Sequence, residues 1–424
     1  MSLFRSALLS AVLLLLAATA SAAPVVDQPL SLVSAPLSLR DALKLIWQES
    51  PEVQSAQAEL EAARARARAA DQPIYNPTLS LDTENADVDR RTAGVSLTLD
   101  LSGKRRARSG QGSAEWRASE VDYELRRQDV SMRWLRAWST QALAAKQREL
   151  GQRRVSLMQR FDALAAQRLK VGDIGSPERD LAGLALGEAQ LQQASLIGNE
   201  AAARALLAAI GGEQQRALPS LPSGLLPAAA AITAVPADEL PEMVQARARQ
   251  DSAEAGVEVA RRARVPDPTV SLTGGRVRSG PVNDRVIGIG VSIPLPVFNN
   301  GRAEIDAARA DAEAAFANVR SRQRIQQAGL GETRARYASL QVAAAAFRSG
   351  RAGAFEERTA LLEKLWSAGE IGSSDYLVQL KQSLDTALSG LALQSQLWQA
   401  WFDYLNASGR LVDWIDGNAL EASR

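Results

Sequence analysis

In GVSIPLPVFNNGRAEI, residues 290–305, an alternating apolar and small-residue pattern runs into Pro294 and Pro296, and an alanine-rich helical pattern follows. Alternation with a period of two is the mark of a strand, and apolar recurrence at three- and four-residue steps is the mark of a helix. Proline lacks the N–H that a ladder needs, so the pair ends the strand and turns the chain into the helix. An earlier stretch, GVSLTLDLSGKRRARS at residues 94–109, has the same layout, with Ser102-Gly103 as its exit in place of the prolines. The chain therefore carries a strand that runs into a long helix twice.

Other landmarks repeat in the same order. YNPTLSL (75–81) corresponds to PDPTVSL (266–272), and VGDIGSPERDL (171–181) to AGEIGSSDYLV (368–378), at nearly constant offset. Self-similarity of this kind marks a duplicated architecture. Residues 39–210 form the first repeat and 237–411 the second. Between them lies a linker, 211–236, with four prolines, three glycines and no sustained period; 412–424 form a C-terminal tail. Within each repeat the patterns predict a helix (39–70; 237–264), two strands (78–83 with 94–101; 269–274 with 286–293), a very long helix (104–170; 302–367), and a returning helix (177–210; 374–408). A proline-free helix of more than 60 residues spans roughly 100 Å. Such a length implies coiled-coil-like packing, along Val121, Leu125, Met132, Leu135, Leu157, Phe161 and Leu164 in one repeat. In the other, the same seam runs through Ile305, Ala308, Ala312, Phe316 and Val319.

The strands have one apolar face. Val95, Leu97, Leu99 and Leu101 point one way, and Ser96, Thr98 and Asp100 the other. Ile287, Ile289, Val291 and Ile293 likewise oppose Gly288, Gly290 and Ser292. A soluble sandwich shows the same alternation, but four strands attached to helices this long do not make one. The pattern suits a barrel wall with lipid outside and a polar lumen. Four strands are too few to close a barrel with a usable interior, so several chains must contribute strands to a common one.

The N-terminus supplies an address. Arg5, the apolar run 7–18 and the small residues Ala20-Ser21-Ala22 predict a signal peptide over 1–22, followed by an N-terminal extension over 23–38. Removing 1–22 leaves 48 basic and 48 acidic residues, which argues against a nucleic-acid partner. Cysteine and histidine are both absent, which removes thiol and imidazole catalysis, disulfides and the usual soft metal ligands. No nucleophile–base constellation stands out, so the expectation is a protein that is not an enzyme, with no catalytic, cofactor or metal site.

The signal peptide, the duplicated helix–hairpin–long helix–turn–helix halves and the SIPLPVFNNGRAEI exit together resemble the TolC-like outer-membrane efflux family over nearly the whole mature chain. NPTLSLDTEN followed by LDLSGKRRAR is most similar to the CzcC-like heavy-metal branch, although LSGKR departs from the double-glycine form of that motif. The resemblance implies a mainly α fold with a membrane β-barrel portion. Each chain would give four strands to a shared, trimeric twelve-stranded barrel in the outer membrane, continued by an α-helical barrel across the periplasm. It implies a homotrimer in outer-membrane lipid that conducts substrate passively, heavy-metal cations foremost. A periplasmic adaptor and an inner-membrane proton-driven transporter would be its partners. On the same basis Gly172, Asp173, Gly175, Gly369, Glu370 and Gly372 are candidates for adaptor contact and the periplasmic gate. By chain order they are equally a pair of ordinary helix–helix turns. Asp180 and Asp375 are candidate aperture acids, or acids near helix N-termini. Ser102, Gly103, Pro294 and Pro296 mark the strand-to-helix exits. Two rivals remain open at this point: the same channel exporting drugs or a secreted protein, and a periplasmic coiled-coil adaptor or scaffold.

Overall fold

The computed structural model describes residues 38–418 apart from 86, 212–225, 227 and 350–354. The signal peptide and nearly all of the N-terminal extension lie outside the described residues. Ser38, the last residue of that extension, is the first described residue. Its Oγ accepts the Asp41 N–H at 3.2 Å and caps α1 (Leu39–Glu49).

Two helices stand where the sequence predicts one. The chain extends at Ser50, and Pro51 opens α2 (Pro51–Ala70) at a first-turn position, where its missing N–H costs nothing. Then come β1 (Thr78–Asn85), β2 (Val88–Thr98), α3 (Lys104–Lys170) and α4 (Ser176–Gly211). The second repeat gives α5 (Pro241–Ala263), β3 (Thr269–Ser279), β4 (Val282–Ser292), α6 (Arg302–Ser349), α7 (Phe355–Ser367), α8 (Ser373–Ala407) and α9 (Leu411–Asp416). The 302–367 helix is thus described as two segments, α6 and α7. Residues 350–354, between the two segments, lie outside the described residues.

The strands are longer than the sequence predicts and form two tight hairpins. Backbone pairing carries them through polar residues such as Arg90, Arg91, Arg276 and Arg278, which interrupt the apolar alternation. All four make one antiparallel sheet in the order β1-β2-β3-β4, so β2 pairs with β3 across the two repeats and β1 and β4 are the free edges. Leu99, Asp100 and Leu101 fall beyond the end of β2, a correction to the predicted strand face.

Two cores hold the helices. The larger joins α1, α3, α6, α8 and α9 around Trp134, Trp138, Tyr337, Trp401 and Phe402, all nearly inaccessible to solvent. Trp138 meets Trp398 edge-on at 6.3 Å, and Tyr337 lies 5.2 Å from Trp401. The predicted linker and tail are partly core as well. Ala229 and Ile232 of the linker are buried, Val235 N–H donates to Ser408 O, and on α9 Ile415 of the tail is buried beside Leu411, the last residue of the second repeat. Composition marked the linker as a connection, yet its few apolar residues dock, as does Ile415 of the tail. The second core lies at the far end of the helices and is described below.

The predicted seam is buried in α3 but largely open in α6. Met132, Leu135, Leu157 and Phe161 are buried, whereas of the α6 seam only Ile305 is, and Phe316 stays half exposed. Within one chain α6 packs on α5 and α8, which leaves Ala308, Ala312 and Val319 only partly covered.

Candidate functional site

The sheet is inverted relative to a soluble fold. Rows across it read Leu79–Val95–Leu272–Ile289 and Leu81–Ala93–Gly274–Ile287 on one face. On the other they read Thr78–Ser96–Ser271–Gly290 and Ser80–Gly94–Thr273–Gly288. The apolar residues are the exposed ones: Ile287 and Ile289 are each 80% accessible and Leu81 76%. Along β3, exposure alternates so that Ser271 and Thr273 are the more sheltered side chains. The small residues let the polar side close up. A Cβ on Gly94 would sit 2.8 Å from the Thr273 methyl and 2.9 Å from Ser80 Oγ. A sheet with apolar residues on its open, outer side requires an apolar surrounding.

The two exits differ in length but share an ending. Gly103 (φ 76°) directly precedes α3, and Gly301 (φ 70°) directly precedes α6. Asp100 accepts the N–H groups of Lys104 and Arg105, each at 2.8 Å, so it caps α3 instead of lining a strand. Burial pushes the Asp100 carboxyl up, but the N–H groups of Arg105, Lys104 and Gly103 outweigh it and hold the group below its ordinary value. Ser102 is buried and tied to α5: Arg262 Nη1 donates to Ser102 O at 2.9 Å. In the second repeat Pro294 and Pro296 follow the last paired residue of β4, Ser292. Asn299 and Asn300 then accept the N–H groups of Gly301 and Arg302. The equivalence of Gly103 and Gly301 is legible in SGK and NGR, but the prolines drew the sequence reading away from it. Sequence reasoning also missed Asp267, which is buried between the halves and receives Tyr75 OH at 2.7 Å and Lys104 Nζ at 2.8 Å. That bond to Asp267 raises the Tyr75 phenol above its usual value.

At the opposite end of the helices the two Gly-containing turns have the same backbone. Gly172 (φ 81°) and Gly369 (φ 80°) are left-handed, and Asp173 N–H and Glu370 N–H reach back to Arg168 O and Leu365 O, each at 2.9 Å. This is the Schellman closure of a helix, which glycine makes without strain. Gly175 and Gly372 sit three residues later, before α4 and α8, and need no left-handed backbone; Gly372 has φ −72°. Asp173 and Glu370 are exposed at the tips. Asp180 and Asp375 are exposed too, and among the described residues neither enters a hydrogen bond or ion pair.

Behind the turns lies the second core. Phe161, Trp366 and Tyr376 pack with centroids 4.5–5.3 Å apart, with Met158, Ala182 and Leu380 around them. Arg168 stacks 5.1 Å over Trp366 and donates to the carbonyls of Trp366 and Ser367, the free acceptors at the end of α7. Burial pushes the Tyr376 phenol up to about 12. The two tips are thus brought together, a pairing the sequence suggested only through their matching motifs.

No helix among the described residues is long and apolar enough to cross a membrane. Among the same residues no group of three or more carboxylates is gathered to hold a metal ion. The fold and its faces define a membrane channel component, a lipid-compatible β-sheet continued by long helices, of which α3 spans roughly 100 Å.

Comparison with known proteins agrees. The family described as outer membrane efflux protein matches residues 237–409. The cobalt-zinc-cadmium resistance protein CzcC of Cupriavidus metallidurans is 27% identical over 289 residues, covering 66% of this chain and 68% of that protein. The nickel-cobalt-cadmium resistance protein NccC of Alcaligenes xylosoxydans xylosoxydans is 26% identical, covering 59% of this chain and 60% of that protein. In fold, the chain is similar to the outer membrane protein VceC of Vibrio cholerae, with a TM-score of 0.71 at 17% identity, covering 88% of this chain and 96% of that one. The match to the outer-membrane efflux protein family falls on the second repeat of this chain, and the outer membrane is its place.

Proposed function

We propose that three copies of this chain close a twelve-stranded barrel, with β1 of each copy pairing with β4 of the next, and that the helices continue the barrel as a periplasmic tunnel. The inverted sheet carries this reading, because an isolated four-stranded sheet leaves two unpaired edges and an uncovered apolar face. The open side of α6 supports it, since a neighbouring copy would cover the exposed Phe316. The conduit is passive, with no catalytic step in this chain. A periplasmic adaptor and an inner-membrane proton-driven transporter supply energy and cargo. The paired tips, with Gly172, Asp173, Gly175, Gly369, Glu370 and Gly372, are the docking and closing end. Asp180 and Asp375, unpaired and exposed, face the aperture as cation-attracting acids.

The cargo is divalent heavy-metal cations. The similarity to two heavy-metal resistance proteins supports this, and so does the charge of the polar sheet face near the hairpin ends. There Asp82, Glu84 and Asp284 stand against the single cation Arg90. Conduction without a tight site lets ions leave as fast as they enter. Deleting the gene should raise sensitivity to cobalt, zinc, cadmium or nickel salts and leave drug sensitivity unchanged. The reverse pattern would transfer the channel to drugs, and recovery of the protein as a soluble periplasmic monomer would sink the channel itself.

A further inference from the structure

The apolar face of the sheet does not end in polar residues of mixed charge. One row beyond Leu81–Ala93–Gly274–Ile287, the same face carries Thr83–Arg91–Arg276–Arg285, and the next row carries Asn85–Asp89–Arg278–Asn283. All four arginines are exposed. Arg91 lies 3.5 Å from Asp89, the one carboxylate in these two rows; among the described residues Arg276 and Arg285 have no acidic partner. Joining copies edge to edge does not supply one, because the matching face of β1 holds Leu79, Leu81, Thr83 and Asn85. The opposite face at the same height is acidic, so the cations are sorted to the outside of the wall.

The place of the row also matters. Ile293 to Arg285 runs eight residues along β4, roughly 27 Å of strand, which a tilt of about 45° reduces to roughly 20 Å of height. That is close to the thickness of an outer-membrane apolar band, about 25 Å. The exits to the helices lie at one boundary of the band and the arginine row at the other. Since the helices leave on the periplasmic side, the row stands at the level of the outer-leaflet headgroups.

We infer that Arg91, Arg276 and Arg285 form a girdle that binds the phosphate groups of outer-leaflet glycolipid. The inference rests on the barrel reading. Guanidinium groups at this spacing offer forked, paired donors to phosphate oxygens, which lysine does not. Anionic headgroups would complete the row and fix the height of the barrel in the membrane.

The test uses the purified full chain in non-ionic detergent, titrated with bisphosphorylated lipid A and read by native mass spectrometry. The unaltered protein and Arg90→Gln, whose charge is on the polar face, should bind the lipid. R91Q/R276Q/R285Q should bind at least about tenfold more weakly, and rising salt should weaken the unaltered protein similarly. Should that variant fail to assemble, R91K/R276K/R285K keeps the charge and should bind at an intermediate strength. Equal binding by the glutamine variant, or salt-insensitive binding by the unaltered protein, would overturn the girdle. So would displacement of the lipid by an equal concentration of inorganic phosphate, which would make it a free-anion site. The same spectra report subunit number, so a trimer that binds lipid without these arginines removes the girdle alone, whereas a monomer removes the barrel reading beneath it.

Discussion

The two long helices of this molecule, α3 and α6, begin alike and are buried unequally. Nineteen of the residues of α3 are buried, against three of α6: Ile305, Tyr337 and Ala344. Both leave the sheet through a left-handed glycine, and both are rich in alanine and arginine. The difference shows that a duplicated plan need not give duplicated surroundings. The α3 helix packs against α2, α4, α5 and α8 of its own chain, whereas much of α6 is left open, a surface that another copy would cover in the proposed assembly.

The largest effect expected from that comparison is at the core of α3. Trp138→Ala removes a fully buried ring packed on Trp398 and Phe402, and should cost about 3–5 kcal/mol, seen as a fall in thermal midpoint or failure to accumulate. The tip core gives a pH-dependent effect of the next size. The folded Tyr376 phenol titrates near 12 against about 10 when unfolded. Its contribution is therefore intact below pH 10 and lost as the pH rises through about 12. The loss is on the order of 2–3 kcal/mol, and Tyr376→Phe should flatten that part of an alkaline unfolding curve.

Smaller again are the turns. Gly172→Ala and Gly369→Ala should each cost about 1–2 kcal/mol, because the backbone is left-handed and no neighbouring atom lies close enough to add a clash. Gly175→Ala, where an added Cβ meets only Pro177 at 3.4 Å, should be nearly silent in the same denaturant melts. The smallest change expected in a single chain is Phe316→Ala, within about 0.5 kcal/mol because the ring is half exposed. In the assembled protein the same substitution should lower the temperature at which detergent-resistant oligomers dissociate. If it were silent there as well, the open side of α6 would not be an interface.

Much of the fold was legible from a few features. The period-two apolar runs placed all four strands, and α3 runs from Lys104 to Lys170 as its pattern predicts. The strands' outer halves were not legible, because Arg91, Arg276 and Arg285 belong to a membrane-boundary row and break the alternation that identifies a buried or lipid-facing strand. Nor was the burial of Ala229 and Ile232 in the proline-rich linker or of Ile415 in the short tail, since a handful of apolar residues gives no period. At the tips, the matched glycines announced the turns, but the Phe161–Trp366–Tyr376 cluster that draws them together joins residues more than 200 positions apart, and no local pattern records it.

The central claim is that β1 and β4 are edges completed by other copies. The chain has no cysteine, so introduced thiols can report on that pairing alone. Ser80→Cys on β1 is combined in turn with Asp284→Cys, Val286→Cys or Ser292→Cys on β4, and outer membranes are oxidised before electrophoresis. The account predicts that at least one combination yields a covalent species of three chains. Single chains alone, in every combination, would contradict it.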